Sequence, residues 1–184
     1  MSFFNRIFRR KKVEPKEMIN DFEIGKNVLI QQTRKAAEEM KKEGYDILEV
    51  TPLLISVGRA EKTTPLGIIL VVDQNIFQRF HKYLDKGKYG KNLLQLFHKG
   101  EYSFLLIIAK DEEKKIAIIY PTAFRRKHLN EIKSKDRIYI YILNAQTQKY
   151  TLVYVPKIKW RKSEDKIEYN EKNKEDKPPS TLYR

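Results

Sequence analysis

Few residues in this 184-residue chain are equipped for covalent or metal chemistry. Cysteine is absent, which removes thiolate nucleophiles, disulfide scaffolds and Cys-ligated zinc or iron–sulfur centres. The three histidines, His81, His98 and His128, have no spacing that suggests a shared metal, and they read as solvated or simply hydrogen-bonded residues. No Gly-x-Ser-x-Gly element is present. Ser56 and Ser103 sit inside apolar runs, where buried hydroxyls bonded to backbone are expected. No strand leads into a glycine-rich phosphate loop ending in Lys-Ser or Lys-Thr, and Lys86-Gly-Lys-Tyr-Gly90 reads as a cationic surface turn. Asp111-Glu112-Glu113 reads as a solvated hairpin tip. Asp73, just after an apolar strand, is a weak candidate metal ligand or the N-cap of the helix that follows.

The chain is rich instead in positive charge, with 38 Lys+Arg against 24 Asp+Glu and a net charge of +14. The excess is concentrated: residues 1–16 and 74–100 each carry +5, 122–137 carry +4, and 17–73 carry −3. Clustering of this kind suits nucleic acid, an anionic membrane surface or an acidic protein partner. Arg79, Lys82, Lys86, Lys88 and Lys91 form one candidate nucleic-acid-binding set, and Arg125, Arg126, Lys127 and Arg137 a second. If the two adjoin, their summed field positions a phosphate backbone without reading bases. Tyr139 and Tyr141 share one face of a strand beside Arg137, as do Tyr150 and Tyr154 on the next. Such tyrosines either stack on unpaired bases or pack across strands.

The elements that must position these side chains follow from periodicity. A helix from about Asn27 to Glu43 stops at Gly44. Strands follow at Tyr45 to Thr51, Leu53 to Val57 and Gly67 to Val72, the last apolar throughout and so expected to be buried on both faces. A helix carries Ile76, Phe77, Phe80 and Leu84, and a short one carries Leu93, Leu94 and Phe97. Tyr102 to Ala109 and Lys115 to Tyr120 read as a hairpin, Thr122 as the cap of a basic helix, and Arg137 to Leu143 with Lys149 to Val155 as a second hairpin. The expected fold is α+β, a single domain over 17–156 with a mixed sheet flanked by helices, in the order α-βββ-α-ββ-α-ββ. Basic flexible termini flank it: an arm at 1–16 and a charged, disordered tail at 157–184.

The order helix, three strands, helix, strand over roughly residues 27–110 resembles the core of the restriction-endonuclease-like, or PD-(D/E)XK, superfamily. That resemblance implies a metal-dependent nuclease in which two carboxylates hold Mg²⁺ and a lysine orients water. The catalytic motif is largely missing. Pro52-Leu53 stands where Pro-Asp belongs and Asp73-Gln74-Asn75 where Glu-x-Lys belongs, so only Asp73 survives as a ligand. Glu38, Glu39 or Glu43 would have to supply a second carboxylate.

At the start of the chain, Phe3, Phe4, Ile7 and Phe8 fall on one side of a helical wheel, with Arg6, Arg9 and Arg10 opposite. This is the pattern of a helix lying in a lipid interface, with Phe3, Phe4, Ile7, Phe8, Arg9 and Arg10 as the membrane anchor; docking on the protein's own core is the alternative. No cleavable signal or spanning segment is read, so a cytoplasmic protein, peripheral at the membrane if the anchor is used, is expected. The leading functional expectation is a noncatalytic protein that binds DNA or RNA through phosphates, with no cofactor. A membrane-surface adaptor with a protein partner comes second, and a nuclease-like protein, using Mg²⁺ if active, third.

Overall fold

A computed structural model describes residues 15–133, 137–156 and 182–183 of the chain. Helix α1 spans Pro15–Lys42, starting twelve residues earlier than periodicity alone indicates. Proline suits a helix start because its fixed φ is already helical and its missing N–H would have no intrahelical acceptor there. Buried residues Gly25, Val28, Leu29, Thr33, Ala37 and Met40 recur at helical spacing along one side. The helix ends at Gly44, whose φ of +86° is the left-handed conformation glycine adopts without penalty. There Gly44 N–H donates to Lys41 O and Tyr45 N–H to Met40 O, satisfying two carbonyls the helix leaves open.

Two sheets follow. The first contains β1 (Asp46–Glu49), β4 (Lys91–Lys99), β5 (Tyr102–Asp111), β6 (Ile116–Arg125) and the short β9 (Leu182–Tyr183), in the order β1-β6-β5-β4-β9. The second contains β2 (Leu54–Gly58), β3 (Gly67–Val72), β7 (Ile138–Asn144) and β8 (Tyr150–Val155), in the order β2-β3-β7-β8. Both are mixed: β1 runs parallel to β6 and β3 parallel to β7, while the other pairings are antiparallel. Helix α2 (Gln74–Lys86) joins β3 to β4. A 3-10 turn (Arg126–His128) and α3 (Leu129–Lys133) lie between β6 and β7. The domain is α+β, with two sheets where one was expected.

The five-stranded sheet is covered on both sides. On one side α1 packs on Phe97, Phe104, Leu106, Ile108, Ala117 and Ile119. At Gly25 the helix lies so close that an added Cβ would stand 2.2 Å from the Phe104 ring. On the other side Leu94, Leu96, Leu105, Ile107 and Ile118 meet the inner face of the four-stranded sheet, with Ile76, Phe80 and Tyr83 of α2.

This double coverage explains two corrections. Residues 91–99 form strand β4, not a short helix: Leu94 and Leu96 point into the inter-sheet core and Phe97 toward α1, so the apolar clusters lack the period of two. Thr122 caps no helix. It lies within β6, buried, with its hydroxyl donating to Leu105 O, and helical backbone begins only at Arg126. Pro121 is tolerated in β6 because pairing with β1 reaches only Ile119, leaving the strand one neighbour from there onward. β3 is buried on its inner face; of its outward-facing residues Gly67 is buried and Ile69 and Val71 are half-buried.

Candidate nucleic-acid interface

The outer face of the four-stranded sheet follows from the strand period of two. With Ile68, Leu70, Val72, Ile138, Ile140 and Ile142 inward, the opposite residues form three cross-strand rows. One row runs Leu54–Val71–Leu143–Tyr150, the next Ser56–Ile69–Tyr141–Leu152, and the last Gly58–Gly67–Tyr139–Tyr154. The described helices direct their buried residues into the two cores, and none covers this face. The connection between β2 and β3 folds over its middle instead. Tyr141 Oη donates to Pro65 O and Tyr150 Oη to Glu61 Oε1, at 3.0 Å. The bond to Glu61, ahead of burial, raises the Tyr150 pKa.

Apolar surface remains open around that connection. Leu53 is 66%, Leu54 61%, Tyr154 54% and Leu152 38% exposed, four of the six large exposed apolar residues described. Tyr139 and Tyr154 sit directly opposite, ring centroids 6.4 Å apart, and the Arg137 guanidinium lies 5.0 Å from the Tyr154 ring centre. Tyr141 is fully buried, packed edge-on against Tyr150 at 5.6 Å, and so presents no ring to a ligand. The hairpin tyrosines therefore divide: Tyr141 is a packing residue and Tyr154 a surface residue.

Lys91 of the first basic set and Arg125 of the second do not adjoin. Lys91 pairs with Lys110 at one end of the β4–β5–β6 meander, and Lys99, Tyr102 and Arg125 align at the other. Eight strand steps place them about 26 Å apart. At the Lys91 end three cations have carboxylate partners. Lys86 lies 3.7 Å from Asp46, Lys91 pairs with Glu112, and Lys110 lies 3.3 Å from the same carboxylate. Asp111 accepts from the N–H groups of Lys88, Glu113 and Lys114; the Lys88 bond leads in holding its carboxyl below the usual range. Glu112 is lowered chiefly by its hydrogen bond from Lys91. Tyr83 donates to Asp46 at 2.5 Å and is pushed up to about 12, first by burial and then by that carboxylate. Arg79 and Lys82 are exposed on α2.

Arg125, Arg126 and Lys127 differ from Lys86, Lys91 and Lys110, and share with the exposed Arg79, Lys82 and Lys88 the lack of an ion pair among the described residues. Arg125, Arg126 and Lys127 are themselves all exposed. They begin the connection that ends at Arg137 beside the tyrosine row. Sequence reasoning overlooked Arg59 and Lys62 of the β2–β3 connection, together with Leu53, Leu54 and Leu152. The signal was the Tyr-x-Leu-x-Tyr alternation of 150–154 opposite Tyr-x-Tyr of 139–141, readable only once the register is known.

Asp73 caps α2, its Oδ1 accepting from Ile76 N–H at 2.8 Å. Among the described residues no group of three or more His, Asp or Glu could hold a metal ion. The three strands behind the nuclease-like order are divided between sheets, β1 in one and β2–β3 in the other. His81 Nε2 bonds Thr151 Oγ1 at 2.9 Å, and His128 lies 3.8 Å from Glu131. His98 Nδ1 bonds Ser103 Oγ at 3.0 Å inside the core, so Ser103 is buried but partnered by a side chain, whereas Ser56 is exposed. Phe3, Phe4, Ile7, Phe8, Arg9 and Arg10 lie outside the described residues, as does most of 157–184; Leu182 and Tyr183 pair with Gln95 and Leu94. No helix among the described residues is long and apolar enough to cross a membrane.

The chain belongs to DUF7529, a family of unknown function, whose model matches residues 26–153, from within α1 to within β8. No curated protein and no solved structure matches it.

Proposed function

We propose that this protein binds nucleic acid, without catalysing a reaction on it, through phosphate contacts of weak sequence preference. The observation carrying this reading is Arg125-Arg126-Lys127, three consecutive exposed cations with no carboxylate partner among the described residues, leading to Arg137 at an aromatic sheet face. Unneutralised cations release counterions from a phosphate backbone, whereas cations already held by carboxylates must first give up that partner. The test is fluorescence anisotropy of labelled DNA and RNA with the full chain, across salt. Three phosphate contacts give a log–log salt slope of about −2.7 on duplex and about −2.1 on single strands. No binding to either at about 50 mM salt overturns the reading.

A second reading, a membrane-surface adaptor, is favoured by the alternation of Phe3, Phe4, Ile7 and Phe8 with Arg6, Arg9 and Arg10. Anionic vesicles should then pellet the full chain but not a chain beginning at Val13. Equal pelleting of both removes the anchor.

A further inference from the structure

We infer that the β8 side of the outer face of the four-stranded sheet is a platform for single-stranded nucleic acid, where unpaired bases stack on Tyr154 and the Arg137 guanidinium and lie over Leu152. The inference rests on the nucleic-acid reading above and names the form of nucleic acid this surface takes.

Charge and shape argue together. Among the described residues, the connections around the face carry Arg59, Lys62, Arg137 and Lys149 against Glu61 and Asp73. Both acids already accept hydrogen bonds, Glu61 from Tyr150 and Asp73 from Ile76 N–H. The rim is thus positive, while the surface the connection leaves open on β8, at Leu152 and Tyr154, is apolar. A duplex presents phosphates outward; laid on this face, it would desolvate charge against leucine and tyrosine with nothing to compensate. A single strand offers an apolar π-face for Leu152 and Tyr154 and phosphates for the rim. Tyr154 is 54% exposed with a cation 5.0 Å from its ring centre, an arrangement on which a base stacks without any sequence requirement. Tyr154 lies on β8, an edge strand of its sheet, so a bound strand reaches it without displacing a neighbouring strand.

The test uses the full chain with a labelled oligothymidine and a labelled duplex of equal length. The inference expects tighter binding of the single strand. Tyr154→Ala should weaken that binding about 5- to 150-fold with an unchanged salt slope, because a stack and not a phosphate contact is lost. Tyr154→Phe, which keeps the ring, should bind as the parent does. Thermal melting of the variants checks that their fold is intact. Equal affinity for both forms, or single-strand binding indifferent to Tyr154→Ala, overturns the platform while leaving phosphate binding in place. Binding of neither form removes both readings. A sedimentation change from dimer to monomer in Tyr154→Ala, with nucleic-acid affinity unaltered, assigns the face to a second copy of the chain and also overturns the platform.

Discussion

Two cationic regions about 26 Å apart have similar composition and different chemistry. At the β5–β6 turn, Lys86, Lys91 and Lys110 meet Asp46 and Glu112, and Asp111 gathers three backbone N–H groups. These charges tie the ends of α2, β1, β4 and β5 to one another. At the end of β6, Arg125, Arg126 and Lys127 have no such partner among the described residues. The contrast teaches that a count of cations measures solubility and field, while the position of carboxylates determines which cations remain available for an external anion.

The sharpest way to break the comparison is to remove each set in turn. Arg125→Ala, Arg126→Ala and Lys127→Ala together should reduce the salt slope by about 2.7 on duplex and about 2.1 on single strands, the share of three phosphate contacts. Lys86→Ala, Lys91→Ala and Lys110→Ala together should leave the slope unchanged. Equal losses in anisotropy titrations would erase the distinction.

Next in size, Tyr141→Phe should cost about 1 kcal/mol of stability in urea unfolding, through the lost bond to Pro65 O, and leave nucleic-acid affinity untouched. A loss of affinity with no loss of stability would return Tyr141 to the surface set.

The paired region should also show in acid. Asp111 and Glu112 have carboxyl pKa values held below their ordinary values. Each therefore contributes stability above the ordinary carboxylate range and loses it as pH falls through that range toward the folded value. Unfolding midpoints between pH 6 and about pH 2 should fall less steeply in Asp111→Asn than in the parent. A parallel acid limb would show that the backbone bonds to Asp111 do not stabilise its charged form.

The smallest effect is expected from Lys91→Ala. Its partner Glu112 is 41% exposed, so stability should change little, within the scatter of a surface ion pair. A larger loss would mean that Lys91, Glu112 and Lys110 act as a network and not as exposed pairs.

How much was legible depends on what surrounds each segment. β3 was legible to the residue, because Gly67-Ile-Ile-Leu-Val-Val72 is a short β-branched run between turn residues. The cap at Asp73 and the stop at Gly44 were legible because each acts within a few residues of its own position. β4 was misread because a strand covered on both sides has no polar alternation, and Leu93-Leu94 with Leu96-Phe97 mimics helical spacing. Of the candidate site, the tyrosines and Arg137 were visible as a cluster, but Tyr141 and Tyr154 look alike in sequence. Their difference arises from a connection more than 70 residues upstream, whose Pro65 carbonyl lies over one ring and not the other.

The sequence by itself determined the absence of cysteine chemistry, the α+β element pattern and the three basic concentrations, all of them properties of composition or of nearest neighbours along the chain. Only the tertiary structure decided that the expected single sheet is two, that Lys91 and Arg125 stand at opposite ends of a meander, and that Lys86 and Lys91 are already paired with carboxylates. Those outcomes depend on which residues meet across β1–β6, β3–β7 and the β5–β6 turn, contacts between segments separated by twenty to seventy positions. Charge is additive along a chain. Its availability to a partner is decided in space, by the carboxylates that fold against it.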